Sequence, residues 1–128
     1  MTYSENPRFN AFVKAYITAM LWSTSGTDSN GGEFEDLQSF ELAPETVELI
    51  KLDCFKFYED NFIQLSTLDA AGLHSFELSG HDFWLTRARH GAGFWDRGLG
   101  EAGELLTAAS ESFKEVTPYI GDDGLIYL

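Results

Sequence analysis

Apolar residues recur along the chain at helical spacing in several separate segments. The first segment follows Pro7, where apolar side chains step by three and four positions and form one stripe. Asn6 is a suitable cap, and proline fits the first turn of a helix. We therefore predict a helix that begins at Pro7. Its stripe consists of Phe9, Phe12, Val13, Tyr16, Ile17, Met20 and Leu21.

A second, longer helix is predicted from Pro44 to about Leu65, because proline and Glu45 both suit a first helical turn. Its main apolar face consists of Val47, Ile50, Cys54, Phe55, Phe57, Tyr58, Phe62 and Leu65. Three more apolar residues lie among the acidic positions of the opposite side, namely Leu49, Leu52 and Ile63. A helix that is apolar nearly all round is either central to the core or in contact with a partner.

The remaining segments predict a weaker helix, two loops and a hairpin. Residues 69–87 match a helical stripe interrupted by glycines, and residues 99–114 form a last amphipathic helix. Residues 23–32 predict a flexible loop. Residues 91–98 predict a glycine-rich loop anchored by the inward-facing rings of Phe94 and Trp95.

Residues 116–120 and 125–128 flank a Gly-Asp-Asp-Gly turn, which is typical of a β-hairpin. The predicted fold is α+β and mainly α: a compact bundle of about four helices with a C-terminal hairpin, in one domain covering residues 1–128. With 128 residues and 44% apolar content, the chain can bury one core.

Composition predicts a soluble protein of a reducing compartment. The single cysteine, Cys54, excludes an internal disulfide. The first apolar stretch is interrupted by Lys14 and has no basic region before it, so it fits neither a signal peptide nor a membrane span. We expect a cytoplasmic location and no membrane partner.

Acidic residues concentrate in two blocks of the chain. The net charge is −13, of which residues 28–60 carry −8 and residues 101–128 carry −5. Such a surface repels nucleic-acid phosphates, so direct nucleic-acid binding is disfavoured and a basic protein surface is the expected partner.

Two helix faces are the predicted partner-binding surface, although an ordinary solvated face that keeps the protein soluble explains the same charge pattern. On the last helix the carboxylates are those of Glu101, Glu104, Glu111 and Glu115. On the second helix they are those of Glu45, Glu48, Asp53, Glu59 and Asp60.

Histidines, tryptophans and arginines are concentrated in residues 80–100. A possible ligand pocket is built from His81, Asp82, Trp84, His90, Trp95 and Asp96. These types include transition-metal ligands, but their spacing matches no established site, so we predict neither a metal nor a cofactor. No nucleophile motif or phosphate-binding loop is present, and we predict no enzymatic activity.

Three arginines in this stretch, Arg87, Arg89 and Arg97, have two interpretations. With Trp84 and Trp95 they could form a stacking groove for a nucleotide or a single strand. Alternatively, they neutralise the acidic helices. The net charge of the chain favours neutralisation, because three arginines would have to hold a polyanion against a surplus of negative charge.

Three strings carry a resemblance to a protein family: HDFWLTR at residues 81–87, HGAGFWDRGLGE at residues 90–101 and GDDGLIYL at the C-terminus. Together they resemble small acidic, mostly uncharacterised proteins of tailed bacteriophages and prophages. The resemblance implies the cytoplasm of an infected bacterium as the setting, and it carries over no site residue.

The resulting hypothesis is a non-catalytic accessory protein of a phage or mobile element. It binds and inhibits or redirects a host nucleic-acid-processing or defence protein through a DNA-mimicking acidic surface. The alternative is a small metal- or ligand-binding enzyme centred on residues 81–96.

Overall fold

A computed structural model of the chain describes residues 6–128, and within them the fold consists of helices with two small antiparallel strand pairs. The helices are α1 (Pro7–Ser23), α2 (Pro44–Asp60), α3 (Phe62–Ala70), α4 (Phe76–Arg87) and α5 (Glu101–Glu111), with a 3₁₀ helix at Phe94–Asp96. The strands are β1 (Gly26–Thr27), β2 (Glu33–Phe34), β3 (Tyr119–Ile120) and β4 (Ile126–Tyr127). The predicted compact, mainly helical α+β fold is confirmed, but five α-helices stand where about four were expected.

The α1 helix begins as predicted. Asn6 Oδ1 accepts hydrogen bonds from the backbone N–H of Arg8 at 2.9 Å and of Phe9 at 3.2 Å, and Pro7 occupies the first turn. These bonds satisfy two of the backbone donors that a helix leaves unpaired at its start.

The centre of the fold is the packing of α1 against α4. A Cβ atom on Gly80 would lie 2.0 Å from the carbonyl oxygen of Phe12, so the two helix backbones are in direct contact there. Around this crossing, Phe57 stacks on Phe83 with ring centroids 4.1 Å apart, and Tyr16 packs on Trp84. The close approach explains why glycine occupies the middle of a helix despite its poor helix propensity.

The predicted second helix is wrong at its C-terminal end. It ends at Asp60, and α3 begins after Asn61, whose backbone leaves the helical region at φ −116° and ψ 18°. The carbonyl oxygen of Phe57 accepts from the Asn61 backbone N–H at 3.0 Å and also from the Asn61 side chain at 2.9 Å. Phe62, predicted on the buried face, is consequently 40% exposed.

The third predicted helix also begins elsewhere. Its first residues belong to α3 and to a turn, and α4 starts only after Ser75, whose hydroxyl accepts from the backbone N–H of Leu78 at 3.1 Å. The last predicted helix is shorter than expected and spans Glu101–Glu111.

Residues 23–32, predicted to be a flexible loop, contain the strand β1. Gly26 pairs with Phe34 and Thr27 with Glu33, and Asp28 Oδ1 accepts from Gly32 N at 2.7 Å across the turn. At the C-terminus, β3 and β4 pair with two residues each, so the hairpin is shorter than predicted.

These strands pack around a small second core of Leu37, Ile120 and Ile126. We call residues 24–43 and 117–128 the β-module. It is fastened to α2 by Thr46, whose hydroxyl donates to the carbonyl oxygen of Ile126 at 2.8 Å. The same oxygen accepts from Ala43 N at 3.1 Å.

The glycine-rich loop turns only one of its two predicted anchors inward. Phe94 is fully buried and its backbone N–H donates to Thr86 Oγ1 at 3.2 Å, whereas Trp95 is 57% exposed. A single 3₁₀ turn places consecutive residues on different sides, so the two rings cannot share one direction. In the described residues, no helix is both long and apolar enough to cross a membrane.

Candidate interaction surface

The acidic row predicted on α5 divides into two halves. Glu101 and Glu104 are exposed in the first turn, where carboxylates favour the positive end of the helix dipole. Glu111 and Glu115, by contrast, each lie 3.2 Å from a guanidinium nitrogen of Arg89. Half of the predicted row therefore shares one arginine within the molecule, which offsets one of its two negative charges.

On α2, four of the five predicted carboxylates are exposed: Glu45, Glu48, Glu59 and Asp60. Asp53 instead lies 2.6 Å from the buried guanidinium of Arg87. Arg87 also donates to the carbonyl oxygens of Phe113 and Lys114 at 3.2 and 2.8 Å. Asp53 is thus engaged in an ion pair with a buried arginine, although its own side chain is 39% exposed.

The strongest concentration of acidic residues without basic neighbours lies in the β-module. This part of the chain was not among the predicted partner-binding residues. Its seven acidic residues are accompanied by no lysine or arginine. They are Asp28, Glu33, Glu35, Asp36, Glu41, Asp122 and Asp123. Among residues 6–128, none of the seven forms an ion pair with a basic side chain. The excess of charge in residues 28–60 was the signal for this surface.

Two aromatic rings lie on the same surface. Tyr119 is 53% exposed and stacks on Tyr127 with centroids 5.9 Å apart. The Tyr127 hydroxyl donates to Asp123 Oδ2 at 2.6 Å. This bond, together with desolvation and the negative charges of Asp123 and Glu45, raises the pKa of Tyr127 to about 12. Glu45 on α2 therefore belongs electrostatically to the edge of the β-module.

Asp82, predicted for a ligand pocket, is a buried centre of ion pairing. Its side chain is 1% exposed and faces three partners: His74 Nε2 at 2.8 Å, His81 Nδ1 at 3.3 Å and the Arg97 guanidinium at 2.9 Å. Burial raises the pKa of Asp82, but the bonds from His74, Arg97 and His81 and the charge of Arg97 outweigh it and lower the pKa to about 2. The carboxylate is consequently ionised at neutral pH.

His74 was not predicted from the sequence, and it is 5% exposed and packs against Phe94. The sequence offered one signal for His74, namely a histidine at the start of an apolar segment. Such a position is common and does not indicate a functional residue. The pairing of His74 and Arg97 with Asp82 joins separate segments of the chain, so only the folded structure identifies this centre.

The two histidines that the sequence predicted for the pocket, His81 and His90, both contact Trp22. The Trp22 ring lies 5.9 Å from the ring of His81 and 5.9 Å from that of His90. Trp84 is buried and its indole N–H donates to Ser23 Oγ at 2.8 Å.

The predicted pocket residues are distributed over several places in the fold. His81 lines a groove of about 390 Å³ between α1 and α4, together with Ala11, Lys14, Ala15, Thr18, Glu77 and Leu78. Trp84 and His90 line a second groove of about 270 Å³. Trp95 and Asp96 are the exposed residues of the 3₁₀ helix.

The three arginines neutralise carboxylates, in line with the interpretation that net charge favoured. Arg87 pairs with Asp53, Arg89 with Glu111 and Glu115, and Arg97 with Asp82. In the part of the chain that the structure describes, no group of three or more histidine, cysteine or acidic side chains is arranged to hold a metal ion.

No family model matches the sequence, and comparisons with curated proteins and with solved structures find no match.

Proposed function

We propose that this chain is a non-catalytic accessory protein, of a phage or mobile element, that binds a basic surface of a host nucleic-acid-processing or defence protein. It would inhibit or redirect that protein by occupying the surface that holds nucleic-acid phosphates. One observation carries the proposal: the seven carboxylates of the β-module have no basic residue among them.

The distribution of ion pairs supports this choice of surface. The paired arginines of the described residues lie on or between the helices, where they neutralise carboxylates of α2, α4 and α5. The β-module keeps its negative charge, although like charges on one surface destabilise the folded state by mutual repulsion. Such a field attracts a cationic partner and accelerates encounter with it.

The proposed partner surface differs from the one that the sequence suggested. Glu111, Glu115 and Asp53 are removed from it because they pair with arginines. Glu45 and Glu48 stay, since they continue the acidic surface from the β-module onto α2. Of the other predicted carboxylates that are exposed, Glu101 and Glu104 serve as comparison positions, and Glu59 and Asp60 lie further along α2.

The test is capture of a partner from bacterial lysate on the immobilised protein, followed by affinity measurements with the identified partner. We expect the triple variant Glu33→Gln, Glu35→Gln and Glu41→Gln to weaken binding at least about tenfold and to reduce its salt dependence. The control, Glu101→Gln with Glu104→Gln, should change affinity much less per charge removed. The proposal would be overturned if the affinity changed neither with salt concentration nor in the β-module variant.

A second measurement addresses the mimicry itself. Double-stranded DNA added to the complex should displace the captured partner if both ligands use the same basic site. A ternary complex of the chain, the partner and DNA would show that the acidic surface binds elsewhere.

The second candidate function is binding of a small ligand in the groove between α1 and α4, and the orientation of His81 favours it. The ionised carboxylate of Asp82 accepts from His81 Nδ1, which fixes the ring at the groove and leaves Nε2 for a ligand. A metabolite screen by thermal shift tests it: a stabilising compound should lose its effect in His81→Gln and keep it in His90→Gln.

A further inference from the structure

The α2 helix carries two leucines on its solvent side. Leu49 is 50% exposed and Leu52 is 61% exposed, and residues three apart on a helix are neighbours. Neither is required by the core, which α2 contacts through its opposite face with Ile50, Cys54 and Phe57. A single exposed leucine is ordinary on a protein surface, whereas two on adjacent positions form a small apolar contact area.

Carboxylates surround this pair of leucines. Glu45 and Glu48 lie within one turn before it, and Glu59 and Asp60 lie further along the exposed side of the helix. Lys56 is an exposed basic residue on the same stretch, one turn beyond Leu52. The combination of an apolar centre and a mostly negative rim resembles the composition of a protein interface, in which apolar contacts are central and charges peripheral.

The position of the leucines links them to the β-module. Thr46 lies one turn before Leu49 on α2, and its hydroxyl donates to the carbonyl oxygen of Ile126 on β4. The helix is therefore fixed against the module, and a partner can contact the acidic surface and the two leucines without a rearrangement. Preorganisation of this kind lowers the entropic cost of binding.

We propose that Leu49 and Leu52 are the apolar anchor for an amphipathic basic helix of the partner. The inference rests on the proposed function, since it names the chemistry of the same basic partner. An occupant with leucine-like residues on one side and lysines or arginines beside them matches both the apolar centre and the negative rim. A partner whose basic cleft has no apolar element would contact the carboxylates of this chain and not the two leucines.

The experiment uses two synthetic helical peptides of about 18 residues, a length at which a helix offers several turns. Both contain the same number of lysines. One carries leucines at helical spacing, and the other has glutamine in place of every leucine. Their affinities for the full chain are measured by fluorescence anisotropy at one fixed ionic strength.

The expected result is that the unmodified chain binds the leucine peptide at least about tenfold more tightly than the glutamine peptide. The double variant Leu49→Gln with Leu52→Gln should remove this preference and leave the affinity for the glutamine peptide unchanged. Glutamine keeps helix propensity close to that of leucine, so α2 should persist, and circular dichroism checks this.

The matched control is Leu78→Gln on α4, where the leucine is also 50% exposed but lies in the groove beside Lys14. This variant should keep the preference. An equal loss in Leu78→Gln, a preference that survives in the double variant, or equal affinities of both peptides for the unmodified chain would overturn the inference.

Failure of the inference is distinguishable from failure of the proposed function. The triple glutamine variant of the β-module should weaken both peptides, because they share their charge. If both peptides bind but neither responds to that variant, the acidic surface is not the site and the proposed function fails. If neither peptide binds the unmodified chain, both proposals fail.

Discussion

Asp82 is a charged side chain in the interior of a mainly apolar helix packing. Its three partners come from different parts of the chain: His74 precedes α4, His81 is its neighbour on α4, and Arg97 follows the 3₁₀ helix. Removing one partner of a buried ion pair is strongly destabilising, because the remaining charge keeps its desolvation penalty without compensation. We therefore assign Asp82 a structural role.

The acid stability of the protein should depend on Asp82. Since its folded pKa of about 2 is below its ordinary value of 3.8, the ionised form contributes stability above pH 4, and this contribution is lost as the pH falls toward 2. The expected contribution is roughly 2 kcal/mol. Urea unfolding of Asp82→Asn should show a lower free energy of unfolding at pH 7 and a weaker pH dependence between pH 4 and 2.

The control for this prediction is Asp96→Asn. Asp96 lies on the exposed 3₁₀ helix and is 3.8 Å from Arg97, so its loss should lower the free energy of unfolding by less than about 1 kcal/mol. Equal effects of the two variants would contradict the central role of Asp82.

Gly80 gives a second prediction about a single residue. On most helices, replacing glycine by alanine stabilises by up to about 1 kcal/mol. Here the added Cβ would lie 2.0 Å from the Phe12 carbonyl oxygen, so the helices must separate. We expect Gly80→Ala to lower the free energy of unfolding by more than about 2 kcal/mol, measured by urea titration.

Gly103 on α5 is the comparison position, because its nearest contact would be the Phe94 carbonyl oxygen at 3.1 Å. Gly103→Ala should therefore destabilise clearly less than Gly80→Ala. A neutral or stabilising Gly80→Ala would show that α1 and α4 can separate without loss.

At the scale of elements, local signals were sufficient for some helix boundaries and insufficient for others. The start of α1 was predictable because Asn6 and Pro7 determine it locally. The end of α2 was not, since the apolar pattern continues past Asn61 and the break is a local change in the Asn61 backbone angles. The small strands at residues 26–34 escaped prediction because two-residue strands contain too little alternation to recognise.

The candidate surface was predictable only as a charge excess. Sequence spacing places Glu111 and Glu115 on one side of a helix but cannot show that Arg89, 22 residues before Glu111, reaches both. It also cannot show that residues 24–43 and 117–128 fold together into one module. The pairing of distant segments decides which carboxylates are free, and that depends on tertiary structure.

The attachment of the β-module to α2 is testable through Thr46. Replacing it by valine keeps the volume but removes the bond to Ile126, and we expect the free energy of unfolding to fall by about 1–2 kcal/mol. Hydrogen exchange should accelerate more in residues 117–128 than in α1 and α4.

Thr107→Val is the matched control, because the Thr107 hydroxyl donates to the carbonyl oxygen of Gly103 within its own helix at 2.7 Å. Its effect on exchange should stay within α5. If hydrogen exchange in Thr46→Val accelerated equally over the whole chain, the β-module would not open separately from the helices.

At the scale of the whole molecule, the net charge of −13 opposes folding through repulsion. We expect the melting temperature to rise when sodium chloride increases from about 10 mM to about 0.5 M, since salt screens exposed charges. The triple variant Glu33→Gln, Glu35→Gln and Glu41→Gln should melt higher than the unmodified chain at low salt, with the difference shrinking at high salt. Differential scanning calorimetry measures both.

Glu111→Gln with Glu115→Gln is the control for the charge prediction. These carboxylates pair with Arg89, so their removal takes away attraction as well as repulsion. We therefore expect no comparable rise of the melting temperature at low salt. If the melting temperature of the control rises as much as that of the β-module variant, the two surfaces are electrostatically equivalent.

Cys54, the only cysteine of the chain, is fully buried on the core side of α2, and burial raises the pKa of its thiol. The thiolate is the reactive form, and burial disfavours it. A labelling reagent therefore reacts with Cys54 only after the surrounding helices open. The protein thus contains a natural reporter of opening: the rate at which an aromatic disulfide reagent modifies the native protein reports how accessible the core becomes, without any engineered probe.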